Sequence, residues 1–157
     1  MIWYTRGTKR DKISAGDRTD MDLKKELFHI TETNPFSKLL EMELLEIEEG
    51  YAKGRMPFKT EYTNIYGGMH GGCSYALADT LAGVAAATYG NYTTTINGSL
   101  NYLLPIKDTE YVYCEAKAVR QGGRVGVYDV TISDDAGEIL CTGTFTYYRL
   151  KEKIKEF

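Results

Sequence analysis

The residues that could carry chemistry are gathered in one stretch, Asn64-Ile65-Tyr66-Gly67-Gly68-Met69-His70-Gly71-Gly72-Cys73-Ser74-Tyr75-Ala76-Leu77-Ala78-Asp79-Thr80. A glycine cluster gives way to an Ala-rich run, which predicts a loop feeding a helix from about Gly71 to Gly90. Asp79 is the only Asp or Glu between Gly67 and Ile106, and no Lys or Arg accompanies it. Asp inside a helix is up to about 0.7 kcal/mol worse than Ala, and desolvating an unpaired carboxylate costs far more. The fold must therefore solvate Asp79, satisfy it as a structural acid, or use it.

The start of that helix is the second candidate. Its first N–H groups have no intrahelical acceptor and together carry roughly half a positive charge, while Gly71-Gly72 lets another group approach without a Cβ in the way. Such a tip can hold a developing oxyanion. Asp79 follows Gly71 by eight residues, roughly 12 Å along a helix axis. One helix therefore cannot bring both groups to one reacting atom. Two antiparallel copies could, and a two-fold dimer would then hold two such sites.

The neighbours of these residues have plainer readings too. His70 reads as a turn or core histidine, Cys73 as a small buried residue rather than half of a Cys-His pair, and Asn64 as the closure of an Asx turn. The glycine cluster is no phosphate loop, because Gly-Lys-Ser/Thr is missing.

The elements that must position the stretch are mostly strands. Leu23, Leu27 and Ile30 predict a short amphipathic helix, stopped by Asn34-Pro35, that covers a sheet edge or end. Glu41 to Glu48 alternates, apart from the Leu44-Leu45 doublet, where a bulge or twist is expected. Ala52 to Phe58 follows across a turn at Glu49-Gly50. After the helix, strands are predicted at Thr93 to Leu103, Glu110 to Gln121, Arg124 to Ser133 and Glu138 to Tyr148, separated by Pro- and Gly-containing breaks. The fold class is α+β, an antiparallel sheet wrapped around a long helix whose small residues let it close tightly. That arrangement is called the hotdog fold.

Composition bounds the rest. The 157 residues, 43% hydrophobic with net charge −3, suit a single domain over residues 21–157 behind a peripheral or disordered leader, residues 1–20. Nothing in that charge invites nucleic acid or an anionic membrane surface. Three cysteines without a C-x-x-C pattern and only two histidines argue against a disulfide framework or a metal site, and favour a reducing, cytoplasmic setting. No signal-peptide core and no run of about 18 apolar residues is present.

Asn64, then Gly71 within His70-Gly71-Gly72, then Asp79 within Leu77-Ala78-Asp79-Thr80 resemble the signature of PaaI-type hotdog acyl-CoA thioesterases, in the 4-hydroxybenzoyl-CoA thioesterase superfamily. The likeness extends more loosely from Pro35 to Tyr148, including Asn101-Tyr102-Leu103-Leu104-Pro105 and Gly122-Gly123-Arg124. The resemblance implies hydrolysis of an acyl-CoA thioester at a homodimer interface, with dimers pairing into tetramers. It implies no cofactor, coenzyme A being part of the substrate. The Gly71 N–H would be the oxyanion donor and Asp79, from the facing subunit, the nucleophile or general base. Asn64 would orient the thioester or the water, and Thr95 would hold the lytic water. His70 and Gly72 would line the bound substrate, with Arg120 and Arg124 meeting coenzyme A phosphates. Two other functions remain open: a hydro-lyase on hydroxyacyl thioesters using His70 and Asp79, and a non-catalytic acyl-CoA-binding module.

Overall fold

The apolar face formed by Leu23, Leu27 and Ile30 belongs to helix α1 (Asp20–Thr33), which packs on strand β1 (Glu43–Glu48) and buries Leu27. The computed structural model describes residues 20–154. The leader expected over residues 1–20 lies, apart from Asp20, outside the described residues. Asn34 and Pro35 end α1 but also begin a short helix, α2 (Pro35–Leu39). Asn34 Oδ1 accepts from the N–H groups of Phe36 and Ser37, at 2.9 and 3.1 Å. Proline at the first helical position supplies a suitable φ. The expected stop is thus a helix-to-helix junction.

Strand β1 turns at Gly50 (φ 72°) into β2 (Tyr51–Pro57). The pairing slips between Leu44 and Glu46, which buries Leu44 and Ile47 and leaves Leu45 outside. The anticipated bulge is there, at the leucine doublet. Beyond the central helix α3 (Gly71–Ala87) come β3 (Asn91–Tyr102), β4 (Tyr111–Gln121), β5 (Val125–Ser133) and β6 (Ile139–Lys153). Among the described residues these six strands form one antiparallel sheet in the order β1-β2-β4-β5-β6-β3.

Helix α3 lies against β2, β3, β4, β5 and β6. Leu77, Ala78, Leu81, Ala82, Ala85 and Ala86 are buried under the strands, facing Met56, Val112, Cys114, Ile132 and Phe145 in one core. The alanines keep the helix narrow, so the sheet closes on it at interior packing density. This is the hotdog fold.

Two element ends differ from the sequence reading by more than the one or two residues seen at the other strand ends. The helix stops at Ala87 rather than Gly90, because Gly90 turns the chain at φ 85°. Strand β6 runs on from Tyr148 to Lys153, pairing with the start of β3, and Ile154 then donates its N–H to Gly90 O. The charged run Arg149 to Lys153 concealed that extension, which Asn91 on β3 holds by donating its Nδ2 to Leu150 O at 3.0 Å and accepting at Oδ1 from Lys153 Nζ at 3.0 Å.

The two sheet edges differ. Edge β1 is bulged and covered by α1, with Lys24 and Glu48 paired at 2.8 Å across that junction. Among the described residues edge β3 pairs only with β6, and Thr95, Ile96, Asn97, Asn101 and Tyr102 are exposed. A Cβ at Gly98, in the middle of β3, would overlap Tyr75 Oη and the Phe145 ring. Gly98→Ala is expected to destabilise the protein by about 1–3 kcal/mol through overpacking. Gly123→Ala, with nothing within 4 Å of the new Cβ, is expected to stay within about 0.5 kcal/mol; urea unfolding midpoints of the two variants check this.

Candidate active site

The loop before α3 is built by backbone and Asx hydrogen bonds. Asn64 N–H donates to Gly68 O at 2.7 Å, Gly67 N–H to Asn64 O at 3.0 Å, and Thr63 bridges Met69. Asn64 Oδ1 accepts from the Tyr66 N–H at 2.8 Å, which makes the Asx turn, and Nδ2 reaches Met69 O at 3.4 Å. The Asn64 side chain thus shapes the loop that delivers Gly71.

His70 is the N-cap of α3, its Nδ1 accepting from the Gly72 N–H at 2.9 Å while its carbonyl takes the Cys73 N–H. The Gly72 amide is thereby used. The Gly71 N–H has no hydrogen-bond partner among the described residues, so one amide at the positive end of the helix stays open. Gly71 O accepts from Tyr102 Oη at 2.9 Å and Ser74 Oγ at 3.1 Å. The Tyr102 ring lies 3.2 Å from where a Gly71 Cβ would sit. A cleft of about 330 Å³ opens beside Gly71, walled by Met69, Tyr102, Leu103, Leu104 and Ile106.

Asp79 is half-buried on α3. Its Oδ1 accepts from Thr95 Oγ1 at 2.8 Å and from Tyr147 Oη at 2.7 Å. Asp79 Oδ2 has no hydrogen-bond partner among the described residues. Burial, and next the negative charge of Asp79, push the Tyr147 phenol well above its ordinary pKa, so Tyr147 remains a hydrogen-bond donor. Thr95 and Tyr147 sit opposite each other on β3 and β6, which aims both hydroxyls at one oxygen. Thr95 therefore touches the carboxylate directly. Nothing in the sequence separated Tyr147 from the other twelve tyrosines; only the β3–β6 register brings it to α3.

The structure unites Asp79 with Thr95, and Gly71 with Asn64, His70 and Gly72, but keeps the two groups apart. Asp79 does not line the cleft at Gly71, as the roughly 12 Å of helix between them requires. Arg120 and Arg124 are exposed on the β4–β5 hairpin, and Arg124 O accepts from the Arg149 N–H at 2.7 Å. Arg124 lies two residues from Gly126, which pairs with Tyr147. Cys73 is half-buried and burial raises its thiol pKa, the opposite of what a thiolate nucleophile needs. Among the described residues no three His, Cys, Asp or Glu side chains are grouped to hold a metal ion, and no helix is long and apolar enough to cross a membrane.

A sheet closed around one helix defines a hotdog-fold protein, here with an open amide at that helix's tip and a carboxylate two turns on. The sequence model of the thioesterase superfamily matches residues 66–141. A relative from Archaeoglobus fulgidus that carries an esterase name is 31% identical over 115 residues, 73% of this chain and 75% of that one. The acyl-coenzyme A thioesterase PaaI of Escherichia coli is 27% identical over 101 residues, 64% of this chain and 72% of that one. The solved structure of an E. coli PaaI protein superposes with a TM-score of 0.82 at 21% identity, covering 87% of this chain and 99% of that one. A Streptococcus mutans structure with acetyl-CoA bound gives 0.68 at 25% identity, covering 73% and 91%. The chain belongs to the thioesterase superfamily and is of the PaaI type.

His70 generates a test of its own. His70→Ala is expected to destabilise the protein by about 0.5–2 kcal/mol through loss of the cap, and His70→Asn to restore most of it. Thermal unfolding of both variants checks the cap. Thioester turnover of His70→Asn then shows whether the imidazole does anything more.

Proposed function

We propose that this protein is an acyl-CoA thioesterase with two active sites, each built from the Gly71 amide of one subunit and Asp79 of the other. The observation that carries this reading is the separation of the two unsatisfied groups, the Gly71 N–H and Asp79 Oδ2, on a single helix. Each is what thioester hydrolysis requires, and neither can serve the other within one chain. Antiparallel pairing of two bare β3 edges would lay the two α3 helices side by side in opposite directions.

In the reaction, water oxygen bonds to the thioester carbon and the carbon–sulfur bond breaks, giving a carboxylic acid and the coenzyme A thiol. The Gly71 N–H meets the carbonyl oxygen as charge develops on it; removal of such a donor costs about 2.7–4 kcal/mol in comparable sites. Asp79 Oδ2 either takes the proton from the attacking water, which then passes to the leaving sulfur, or attacks the carbon itself before water releases the acyl group. Asn64 acts by holding the loop that presents Gly71. The hydro-lyase reading is less favoured, because His70 is committed through Nδ1 to capping α3. The acyl-CoA substrate is supported by the E. coli relative named as such and by the acetyl-CoA bound in the S. mutans structure. Further pairing into tetramers and a cytoplasmic setting, suited to the free Cys73, Cys114 and Cys141, belong to the same proposal.

Asp79→Asn is expected to lower release of free thiol from acyl-CoA by about 10²–10⁴-fold without dissociating the dimer; turnover near the parental rate would remove Asp79 from the chemistry. Gly71→Pro deletes the amide hydrogen at a helix position that tolerates proline. Mixing it with Asp79→Asn under subunit exchange should restore activity toward roughly a quarter of parental, since one site in each mixed dimer is whole. No recovery despite demonstrated exchange would count against a shared site. Neutralising Arg120 and Arg124 should raise KM for a CoA ester more than for a short pantetheine thioester, and equal effects would dismiss their phosphate contacts.

A further inference from the structure

We propose that Tyr147 is a positioning residue that decides which oxygen of Asp79 reacts. This rests on the thioesterase reading above and adds to it a group on β6 that the sequence pattern did not single out. Tyr147 is 5% exposed, and its hydroxyl bonds Asp79 Oδ1 at 2.7 Å while also touching the Asp79 backbone carbonyl. A phenol has a single hydrogen to give. Shared between the side-chain and main-chain oxygens of one residue, it ties the Asp79 carboxylate to its own helix turn. Thr95 adds a second donor to the same Oδ1 from β3.

The tyrosine reaches the helix because Gly83, one turn beyond Asp79, has no side chain. A Cβ at Gly83 would lie 3.2 Å from Tyr147 Oη and 3.3 Å from its ring. On its other side the ring meets Tyr128 edge-on, with centroids 6.1 Å apart. The phenol is thus held between a glycine of the helix and a ring of β5. With Oδ1 fixed by donors from two strands, the carboxylate cannot turn over, and Oδ2 is left as the oxygen presented to water or thioester. Fixing a reacting atom in this way raises kcat without tightening substrate binding.

Tyr147→Phe removes the hydroxyl and keeps the ring. In steady-state hydrolysis of acyl-CoA, kcat is expected to fall about ten- to hundredfold with KM within about threefold and the thermal midpoint nearly unchanged. Gly83→Ala, which keeps the hydroxyl but crowds it, is expected to give the same kcat-selective loss and decides the matter where Tyr147→Phe folds poorly. Thr95→Val should lower kcat, and Thr95→Ser should rescue it. Parental kcat in Tyr147→Phe or Gly83→Ala, alongside an inactive Asp79→Asn, would overturn the role of Tyr147 and leave the thioesterase reading standing. Losses of kcat and KM that merely track unfolding would also overturn it. Parental turnover in Asp79→Asn would instead remove the reading on which this inference rests.

Discussion

A carboxylate set among alanines has to be stabilised from outside its own helix, and in this protein two hydroxyls on neighbouring strands do it. Thr95 and Tyr147 converge on Asp79 Oδ1, and no cation takes part among the described residues. A neighbouring ammonium or guanidinium would pair the carboxylate and compete with its reactivity. Neutral donors stabilise the ionised form more modestly and leave the second oxygen free. The rest of the fold is compatible with this constraint only if β3 and β6 lie in one register and close enough to α3 for a phenol to reach it.

That closeness comes from side-chain size. The buried face of α3 is largely alanine with a few leucines, and the sheet side supplies Met56, Val112, Ile132 and Phe145. Small residues on the helix against larger ones on the sheet fill the space between layers without separating them. The helix tip is determined differently. His70 takes one of the first amides and the Asx turn at Asn64 sets the entry path, which leaves Gly71 with the open N–H. One capping bond therefore separates the structural amide from the available one.

Much of this was legible in the sequence because it is local. The helix start at Gly71, the β1 bulge at Leu44-Leu45, the Gly50 turn and the strand sequence all follow from period, turn residues and glycine placement. The isolation of Asp79 was legible as well, since it needs only a count of charges along the chain. What stayed hidden is non-local. Tyr147 reaches Asp79 across 68 positions of sequence, and a one-residue slip of β6 would have turned it to the outer face. The β6 extension was masked because Arg149 to Lys153 is a charged run without strand alternation, and its tie to Asn91 is non-local. The cap at His70 was missed as a cap because imidazole is an uncommon acceptor in that position.

The remaining face of α3 bears on why one chain is half of the proposed site. Gly72, Ala76, Asp79, Thr80 and Gly83 are not fully buried, whereas Leu77, Ala78, Leu81 and Ala82 are. Their spacing of four, three, one and three residues traces one face along the helix. Every member but Asp79 is small. Large apolar residues on this face would let a second helix press against it and exclude water from the carboxylate, at the desolvation cost that an unpaired buried charge carries. Small ones keep this face low beside Asp79, with the Tyr147 ring lying over Gly83. In the proposed dimer, a second chain brought in along the bare β3 edge would meet this low face, and the small side chains would let the partner's helix tip approach Asp79 Oδ2 without an apolar side chain in between.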